Sequence, residues 1–373
     1  MTSNDSFRHF LTNSCPVLNE TFWPTFWAFE TRFQTAIRHY LQSNPIHNFE
    51  RQLVPLPDGG LIAFDWLNPK GWVDKDEDAQ ANTPIVVICP GLTGDSAESY
   101  IGHLVNQVNA LGFRAAVLIY RGNGNLPLLT PRVYSAASCD DLAWGLHEIV
   151  TNNPKPPIYG CGISLGAIIW YNYLASCQPP NKLLVRAVVT ISMPWDCQKS
   201  AQSLERPVNL WAFNRHLAKG LQNRIRHHLH VFENHEDSER YDFELLFKGD
   251  RVRHIDENLI CPMFGFSSAS EYYDAISPCK HFKTLPCPVV SIQAADDVFA
   301  LEETIPLAEI ANLPKTAKSE AGPFQPGPLA VVMAARGGHI GFAEGLFPTE
   351  QTWADRLAGQ LLMALHLYTL EKN

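Results

Sequence analysis

The sequence contains no apolar run of membrane-spanning length. None of its segments approaches the roughly 18 to 20 consecutive apolar residues that a transmembrane helix requires. No charged-then-apolar segment of the secretory type opens the chain either, so we expect a cytoplasmic protein. The aromatic segment at residues 22–29, Phe-Trp-Pro-Thr-Phe-Trp-Ala-Phe, leaves a second hypothesis open: peripheral contact with a membrane surface instead of packing on the folded domain.

Positive charge and paired cysteines are also scarce. Lysine and arginine total 29 against 38 aspartate and glutamate residues, which gives a net charge of -9. A nucleic-acid partner needs a basic stripe that replaces counterions, so we expect no such partner. The nine cysteines are scattered and include no Cys-x-x-Cys pair. We therefore expect reduced, mostly buried thiols.

Motifs for metals and cofactors are incomplete. A cluster of four histidines lacks a recognisable ligand spacing and favours a solvated helix. These residues are His227, His228, His230 and His235. The segment at residues 121–124, Arg-Gly-Asn-Gly, resembles the start of a dinucleotide fingerprint, but Pro127 stands where the third glycine belongs. We expect neither a metal nor an organic cofactor.

What the chain does contain is a regular alternation of short apolar runs with helical patterns. The runs are rich in valine and isoleucine, as strands buried on both faces should be. They lie at residues 85–89, 113–119, 157–161, 187–191, 289–292 and 329–333. Helical periodicity separates them, for example at residues 101–111, where it stops at Gly112. This alternation predicts an α/β fold with a mostly parallel, doubly wound sheet.

Breaks in the pattern predict the domain organisation. Residues 1–50 form an N-terminal helical extension with a helix at about 24–42, and residues 51–195 and 281–373 form the core. Residues 196–280 carry polar helical segments without a clear buried strand, which indicates a cap insertion.

Local signals predict three smaller features. Residues 58–60, Asp-Gly-Gly, would turn a hairpin between strands at 51–56 and 61–66. Residues 138–141 resemble a capping box that opens a helix. Residues 70–82 and 314–328 are expected to form loops.

A serine between two glycines is the most informative motif. Residues 162–166, Gly-Ile-Ser-Leu-Gly, join the predicted strand at 157–161 to a strongly apolar helical run. A strand-to-helix turn this sharp requires glycine on both sides and exposes the hydroxyl between them. This pattern is typical of a nucleophile elbow, with Ser164 as the nucleophile.

A serine nucleophile needs a histidine base and an orienting acid, in the chain order serine, acid, histidine. Asp296 and Asp297 follow one predicted strand, and His339, in a glycine-rich loop, follows the next. We favour Asp297 because Ala294 takes the small position of the usual turn, which leaves Asp296 as a surface or turn-stabilising residue. The sequence does not decide between the two carboxylates.

Two backbone N–H groups are needed to stabilise an oxyanion. Residues 89–94, Cys-Pro-Gly-Leu-Thr-Gly, follow a predicted strand and precede a helix, as an oxyanion loop should. We assign the N–H groups of Leu92 and Leu165 to this role.

Taken together, the motifs resemble one branch of the α/β-hydrolase superfamily. It comprises the animal abhydrolase-domain phospholipases and acyl esterases, the yeast medium-chain ethyl ester synthases/esterases and bacterial relatives. The motifs lie at residues 58–60, 90–94, 120–122, 130–134, 138–142, 162–166, 265–266, 272–273 and 337–339.

The resemblance implies an α/β-hydrolase fold and esterase or lipase chemistry without a metal or cofactor. It makes Ser164 the nucleophile, Asp297 the acid and His339 the base. Two positions depart from the family pattern: residues 165–167, Leu-Gly-Ala, replace Met-Gly-Gly, and Val298 replaces a proline. Animal members commonly begin with a membrane-spanning helix, which this sequence does not show.

These observations predict a serine hydrolase that cleaves an acyl glycerolipid or a medium-chain acyl ester through an acyl-enzyme on Ser164. Two alternatives stay open. One is an acyltransferase that makes esters from an acyl donor and an alcohol. The other is a catalytically silent ligand-binding protein on the same fold.

Overall fold

An eight-stranded sheet runs through the molecule. The computed structural model describes residues 1–3, 5–177, 183–236, 238–313 and 327–372. The strands are β1 (Glu50–Pro55), β2 (Leu61–Leu67), β3 (Ile85–Cys89), β4 (Arg114–Ile119), β5 (Ile158–Ile163), β6 (Ala187–Ile191), β7 (Val289–Ala294) and β8 (Leu329–Ala334). Their order across the sheet is β1-β2-β4-β3-β5-β6-β7-β8.

Pairing is antiparallel only where β2 meets β1 and β4, and every other neighbouring pair is parallel. The predicted hairpin is confirmed, because β1 and β2 pair in antiparallel register across residues 58–60. The carboxyl ends of β3, β5, β7 and β8 lie at one edge of the sheet, which is where loops of a parallel sheet can bring distant residues together.

Helices occupy the remaining regular structure. They are α1 (Asp5–Ser14), α2 (Thr31–Tyr40), α3 (Glu77–Ala81), α4 (Ser99–Ala110), α5 (Asp140–Asn152), α6 (Leu165–Ser176), α7 (Cys197–Leu204), α8 (Pro207–Asn209), α9 (Arg215–His227), α10 (Leu229–Glu233), α11 (Phe243–Lys248), α12 (Val252–Ile255), α13 (Cys261–Phe264), α14 (Ala269–Ile276), α15 (Leu307–Ala311) and α16 (Trp353–Glu371). Two π-helical turns, Leu210–Asn214 and Asp256–Ile260, join α8 to α9 and α12 to α13.

The sheet is buried on both faces. In β3, Ile85 and Val87 pack with residues of α5 and α6, whereas Val86 and Ile88 pack with residues of α4 and α16. Alternate side chains of one strand thus serve two cores, which explains why these strands are continuous apolar runs in the sequence.

Between β6 and β7, the described part of residues 196–280 contains helices and no strand. These helices line a cavity together with residues of the core. Within the described ranges, no helix is long and apolar enough to cross a membrane.

Several local predictions were wrong. The single helix expected at 24–42 is a 3-10 turn (Phe26–Ala28) followed by α2, which begins at Thr31 because the Glu30 side chain accepts a hydrogen bond from the Arg32 N–H. The helix α1 was not predicted. The expected loop at 70–82 contains α3, which Asp76 caps.

Two further expectations need correction, and one lies largely outside the structure. No capping box opens α5: Cys139 is the N-cap, and Ser138 Oγ donates instead to the Asp140 carboxylate at 3.0 Å. In the histidine cluster, His228 is buried with Nε2 3.2 Å from the Gly122 carbonyl oxygen, and burial lowers its pKa. Most of the loop predicted at 314–328 lies outside the described residues.

Candidate active site

Ser164 occupies the turn between β5 and α6, with φ 52° and ψ -116°. Positive φ is uncommon for a residue with a side chain, so the surrounding structure must hold this conformation. The flanking glycines leave the necessary space. A Cβ on Gly162 would lie 2.6 Å from Ala167 Cα, and one on Gly166 would lie 2.0 Å from the Cys89 carbonyl oxygen.

The structure brings Ser164, His339 and Asp297 together. Ser164 Oγ lies 2.8 Å from His339 Nε2, and His339 Nδ1 lies 2.8 Å from Asp297 Oδ2. The other carboxylate oxygen, Oδ1, accepts hydrogen bonds from the N–H groups of Phe299 and Ala300 at 2.7 and 3.1 Å. His339 and Asp297 are buried. The carboxylate is therefore fixed on one side by the backbone and on the other by the imidazole.

Asp296 contacts the same loop differently. Its Oδ1 accepts a hydrogen bond from the Gly338 N–H at 2.9 Å, and burial raises its pKa. Of the two neighbouring carboxylates, Asp297 is the one beside the imidazole, and Asp296 stabilises the turn that carries the histidine.

The histidine loop is held by residues that sequence reasoning did not identify. The His339 N–H donates to Thr35 Oγ1 on α2 at 2.9 Å, and the Ile340 N–H donates to Ser192 Oγ after β6 at 3.0 Å. A Cβ on Gly338 would lie 2.4 Å from the Thr31 carbonyl oxygen, so α2 packs directly on this loop. No local signal marks Thr35, because it is an ordinary residue inside an amphipathic helix.

The predicted oxyanion loop lies beside the serine. A Cβ on Gly91 would be 3.5 Å from Ser164 Cβ. The Gly91 N–H donates to Tyr100 Oη at 3.1 Å, and the Thr93 N–H donates to Tyr134 Oη at 3.0 Å. Among the hydrogen bonds of the described residues, none uses the N–H of Leu92 or of Leu165. Those two donors are free for a ligand.

Ser164 and His339 open into a cavity of about 750 Å³ between the core and residues 196–280. Leu92 and Leu165 line it, and most of its lining is apolar or aromatic. The aromatic side chains are Phe33, Tyr40, Tyr100, Trp211, Phe213, Tyr272, Tyr273 and Phe299. The cavity is suited to an apolar ligand with few polar groups.

Asp256 is one of four acidic residues that line the cavity, the others being Glu30, Glu98 and Glu205. Asp256 is buried in the π-helical turn before α13, and Tyr273 Oη donates to its Oδ2 at 2.5 Å. Burial raises the pKa of Asp256 to about 7. A carboxyl group with this pKa is close to half protonated near neutral pH.

Known proteins resemble the chain along nearly its whole length. Phospholipase ABHD3 of Bos taurus is 34% identical, covering 98% of this chain and 84% of that protein. The mouse Phospholipase ABHD3 is 35% identical, covering 97% and 82%. The chain belongs to the abhydrolase-domain branch of the α/β-hydrolase superfamily. No family model matches it.

More distant similarities agree with this assignment to the abhydrolase-domain branch. The mouse Monoacylglycerol lipase ABHD2 is 25% identical, covering 99% of this chain and 86% of that protein. Among solved structures, a Pyrococcus furiosus esterase superposes with a TM-score of 0.51 at 12% identity, covering 88% of this chain and 97% of that one, which shows the shared fold. The predicted α/β-hydrolase fold is confirmed, and the chain is a carboxylic ester hydrolase of this family.

Proposed function

We propose that the chain hydrolyses a lipid ester through an acyl-enzyme on Ser164. Ser164 Oγ attacks the ester carbonyl carbon while His339 Nε2 takes its proton. The negative charge that develops on the carbonyl oxygen is stabilised by the N–H groups of Leu92 and Leu165. Asp297 holds the imidazole in the tautomer that carries its proton on Nδ1.

Loss of the alcohol completes acylation, and hydrolysis of the acyl-enzyme follows. The imidazolium of His339 returns its proton to the departing alcohol oxygen as the ester bond breaks, which leaves the acyl group on Ser164. Water then attacks the acyl-enzyme and gives a proton to the same imidazole. The imidazolium then returns this proton to Ser164 Oγ as the bond between Oγ and the acyl carbon breaks, which releases the carboxylic acid and restores the serine hydroxyl.

One observation carries the proposal. An unbroken hydrogen-bond chain runs from Ser164 through His339 to Asp297, with 2.8 Å at each step, and its Ser164 end lines the cavity. Leu92 and Leu165, whose N–H groups we assign to the oxyanion, line the same cavity as Ser164. A ligand-binding protein without catalysis would need none of this alignment.

The substrate class follows from the cavity and the family. The apolar and aromatic side chains that make up most of the lining accommodate an acyl chain. Relatives named phospholipase and monoacylglycerol lipase support an acyl glycerolipid, and a medium-chain acyl ester is the smaller alternative of the same class.

The test is hydrolysis of p-nitrophenyl esters of graded chain length, followed by a lipid-extract screen, with labelling by a fluorophosphonate. Ser164→Ala should abolish both turnover and labelling. The matched control is Ser203→Ala, because Ser203 is a buried serine on α7 that does not line the cavity. Turnover that survives Ser164→Ala would refute the proposal. New esters on addition of ethanol or glycerol would assign acyl transfer instead.

We also propose that a bilayer surface docks at the mouth of this cavity. Phe33, Tyr40 and Trp211 line the cavity while 61%, 70% and 75% of their surfaces remain exposed. Trp23 and Phe26, in the aromatic segment for which membrane contact is the second hypothesis, are also largely exposed. Aromatic side chains favour the membrane interface, and a lipid substrate would enter there.

Sedimentation with phosphatidylcholine vesicles tests this surface. Replacement of Phe33 and Trp211 together by serine should weaken vesicle binding while turnover of a water-soluble ester is retained. The control replaces Leu367 and Leu370 by serine, since both are exposed on α16 and neither lines the cavity. Equal vesicle binding by both double variants would contradict the docking proposal.

A further inference from the structure

Arg224, a side chain of the helical insertion, is tied to the oxyanion loop of the core. It lies on α9, and its Nη2 donates to the Thr93 carbonyl oxygen. The two residues are 131 positions apart in the chain. Nothing in the proposed reaction uses Arg224 directly, because it contacts neither Ser164 nor His339.

The Thr93 carbonyl belongs to the same peptide unit as the Gly94 N–H. A peptide unit is planar and trans, so its C=O and N–H point in opposite directions. The Gly94 N–H donates to the Gly91 carbonyl oxygen at 2.9 Å. Arg224 therefore holds one end of a rigid unit whose other end is bound to Gly91.

The Gly91 carbonyl belongs in turn to the peptide unit that carries the Leu92 N–H. Because this unit is also planar and trans, the Leu92 N–H points away from the hydrogen bond that the Gly91 carbonyl oxygen accepts. A continuous path runs from the guanidinium through the Thr93–Gly94 and Gly91–Leu92 peptide units to the donor that we assign to the oxyanion. Each bond in such a chain also polarises the next one, and a cation at its start strengthens the effect.

The loop needs an external hold of this kind. Thr93 has φ 65°, a conformation that a β-branched residue rarely adopts. Tyr134 Oη accepts its N–H, and Arg224 binds its carbonyl oxygen, so both polar groups of the unusual residue are tied.

The surroundings of Arg224 are consistent with a role beyond an ordinary surface ion pair. The side chain is half-buried, and its Nη1 has no hydrogen-bond partner in the described part of the chain. Burial and the charge of Asp95 raise the pKa of Glu98, and the positive charge of Arg224 acts in the opposite direction. Arg224 therefore interacts electrostatically with the Glu98 carboxyl group.

We propose that Arg224 is a positioning residue for the oxyanion hole, acting on the Leu92 N–H through two planar peptide units. The inference rests on the proposed function. If Arg224 has this role, the catalytic geometry depends on a contact between α9 and the core. Displacement of α9 would then loosen the oxyanion donor.

The experiment compares Arg224→Met with Arg224→Lys, and uses Arg226→Met as the matched control. Arg226 lies on the same helix, is exposed, and contacts the Phe247 ring at 4.3 Å. Removal of a whole oxyanion donor lowers kcat by about 100-fold to 1,000-fold. A donor that is loosened should lose less, so we expect Arg224→Met to lower kcat by roughly 10-fold to 100-fold with KM within about twofold.

A second readout separates positioning from general damage. A trifluoromethyl ketone binds Ser164 as a hemiketal whose oxyanion needs the same donors, so its affinity should fall in parallel with kcat. Arg224→Lys should recover much of both losses, and Arg226→Met should change neither. Should Arg224→Met fail to fold, Arg224→Gln gives the same comparison.

Two outcomes overturn the inference. One is an unchanged kcat in a folded Arg224→Met protein, and the other is a loss confined to KM. Failure of the proposed function has a different signature, because the unsubstituted protein would then show no turnover that depends on Ser164.

Discussion

The ring of Phe299 lies nearly parallel to the imidazole of His339, with 4.2 Å between the ring centroids and 17° between the planes. The backbone N–H of Phe299 also donates to Asp297 Oδ1 at 2.7 Å. One residue therefore covers the face of the base with its side chain and orients the acid with its main chain.

The first prediction separates these two contributions. Phe299→Ala removes the ring but keeps the backbone bond to Asp297. Aromatic pairs of this kind contribute about 0.5 to 1.5 kcal/mol, so kcat should fall by roughly 2-fold to 10-fold if the stacking holds the imidazole in place. Steady-state kinetics on a p-nitrophenyl ester measures the loss, and Phe299→Leu should recover only the part that is due to simple packing. An unchanged kcat in Phe299→Ala would show that the backbone alone orients the pair.

The three side chains aligned in the site were within reach of sequence reasoning because each follows a strand in a local motif. Ser164 lies between two glycines, and Asp297 and His339 come directly after buried apolar runs. Parallel strands end at one edge of the sheet, so chain order was enough to predict that these side chains meet.

The supports of the site could not be predicted in the same way. The contact between Thr35 and His339 joins residues 304 positions apart, and the contact between Arg224 and Thr93 spans 131 positions. Neither supporting residue carries a pattern of its own, since a threonine and an arginine are both ordinary residues in a helix. The predicted boundaries of the helix near the N-terminus were wrong for a related reason. The Glu30 side chain, and not the period of the apolar residues, determines where α2 begins.

The second prediction concerns Thr35, which accepts the His339 N–H at 2.9 Å and donates to the Thr31 carbonyl oxygen at 3.0 Å. Thr35→Val keeps the shape of the side chain and removes the hydroxyl. A buried N–H left without an acceptor costs about 1 to 3 kcal/mol, so the variant should unfold at a lower temperature and turn over more slowly. Thr35→Ser keeps the hydroxyl and should behave like the unsubstituted protein. If Thr35→Val kept its full melting temperature and kcat, α2 would have no part in holding the histidine loop.

The third prediction concerns the buried ion pair between Arg38 on α2 and Asp355 on α16. Two hydrogen bonds of 2.7 Å join them. Burial acts to raise the pKa of Asp355, but the interactions with Arg38 and Thr352 outweigh it, so the pKa lies below its usual value. Removal of one partner of a buried pair costs about 3 to 5 kcal/mol, because the other charge is left uncompensated. Arg38→Met should lower the free energy of unfolding by about that amount in urea titration.

The matched double variant tests the cause of that loss. Asp355→Asn removes the charge but keeps an oxygen for the Thr352 N–H, which Asp355 accepts at 2.8 Å. Arg38→Met combined with Asp355→Asn should therefore be more stable than Arg38→Met alone. If the double variant were no more stable than Arg38→Met, the loss of stability would come from lost packing of the arginine side chain and not from an unpaired charge.

The fourth prediction uses Asp256, whose pKa burial raises from the usual 3.8 to about 7. The neighbouring groups are Tyr273 and Arg253, which lower this pKa, and Glu257, which raises it. Between pH 3.8 and about 7 the folded protein retains a proton that the unfolded chain releases, so this group makes the free energy of unfolding fall as pH rises. Above about pH 7 both states are ionised and the effect levels off.

Asp256→Asn should remove this dependence, because its side chain is neutral at every pH and can still accept the Tyr273 hydroxyl. The stability of the variant relative to the unsubstituted protein should rise as pH increases from 5 to 7 and then stay constant, and the rise over these two pH units has an upper bound of roughly 3 kcal/mol. Urea unfolding at pH 5, 6, 7 and 8 measures the difference. Asp274→Asn is the control, since Asp274 is an exposed carboxylate on α14 paired with Lys280 and should give a small, flat difference. A flat difference for Asp256→Asn as well would mean that the folded protein stabilises an ionised carboxylate beside Arg253.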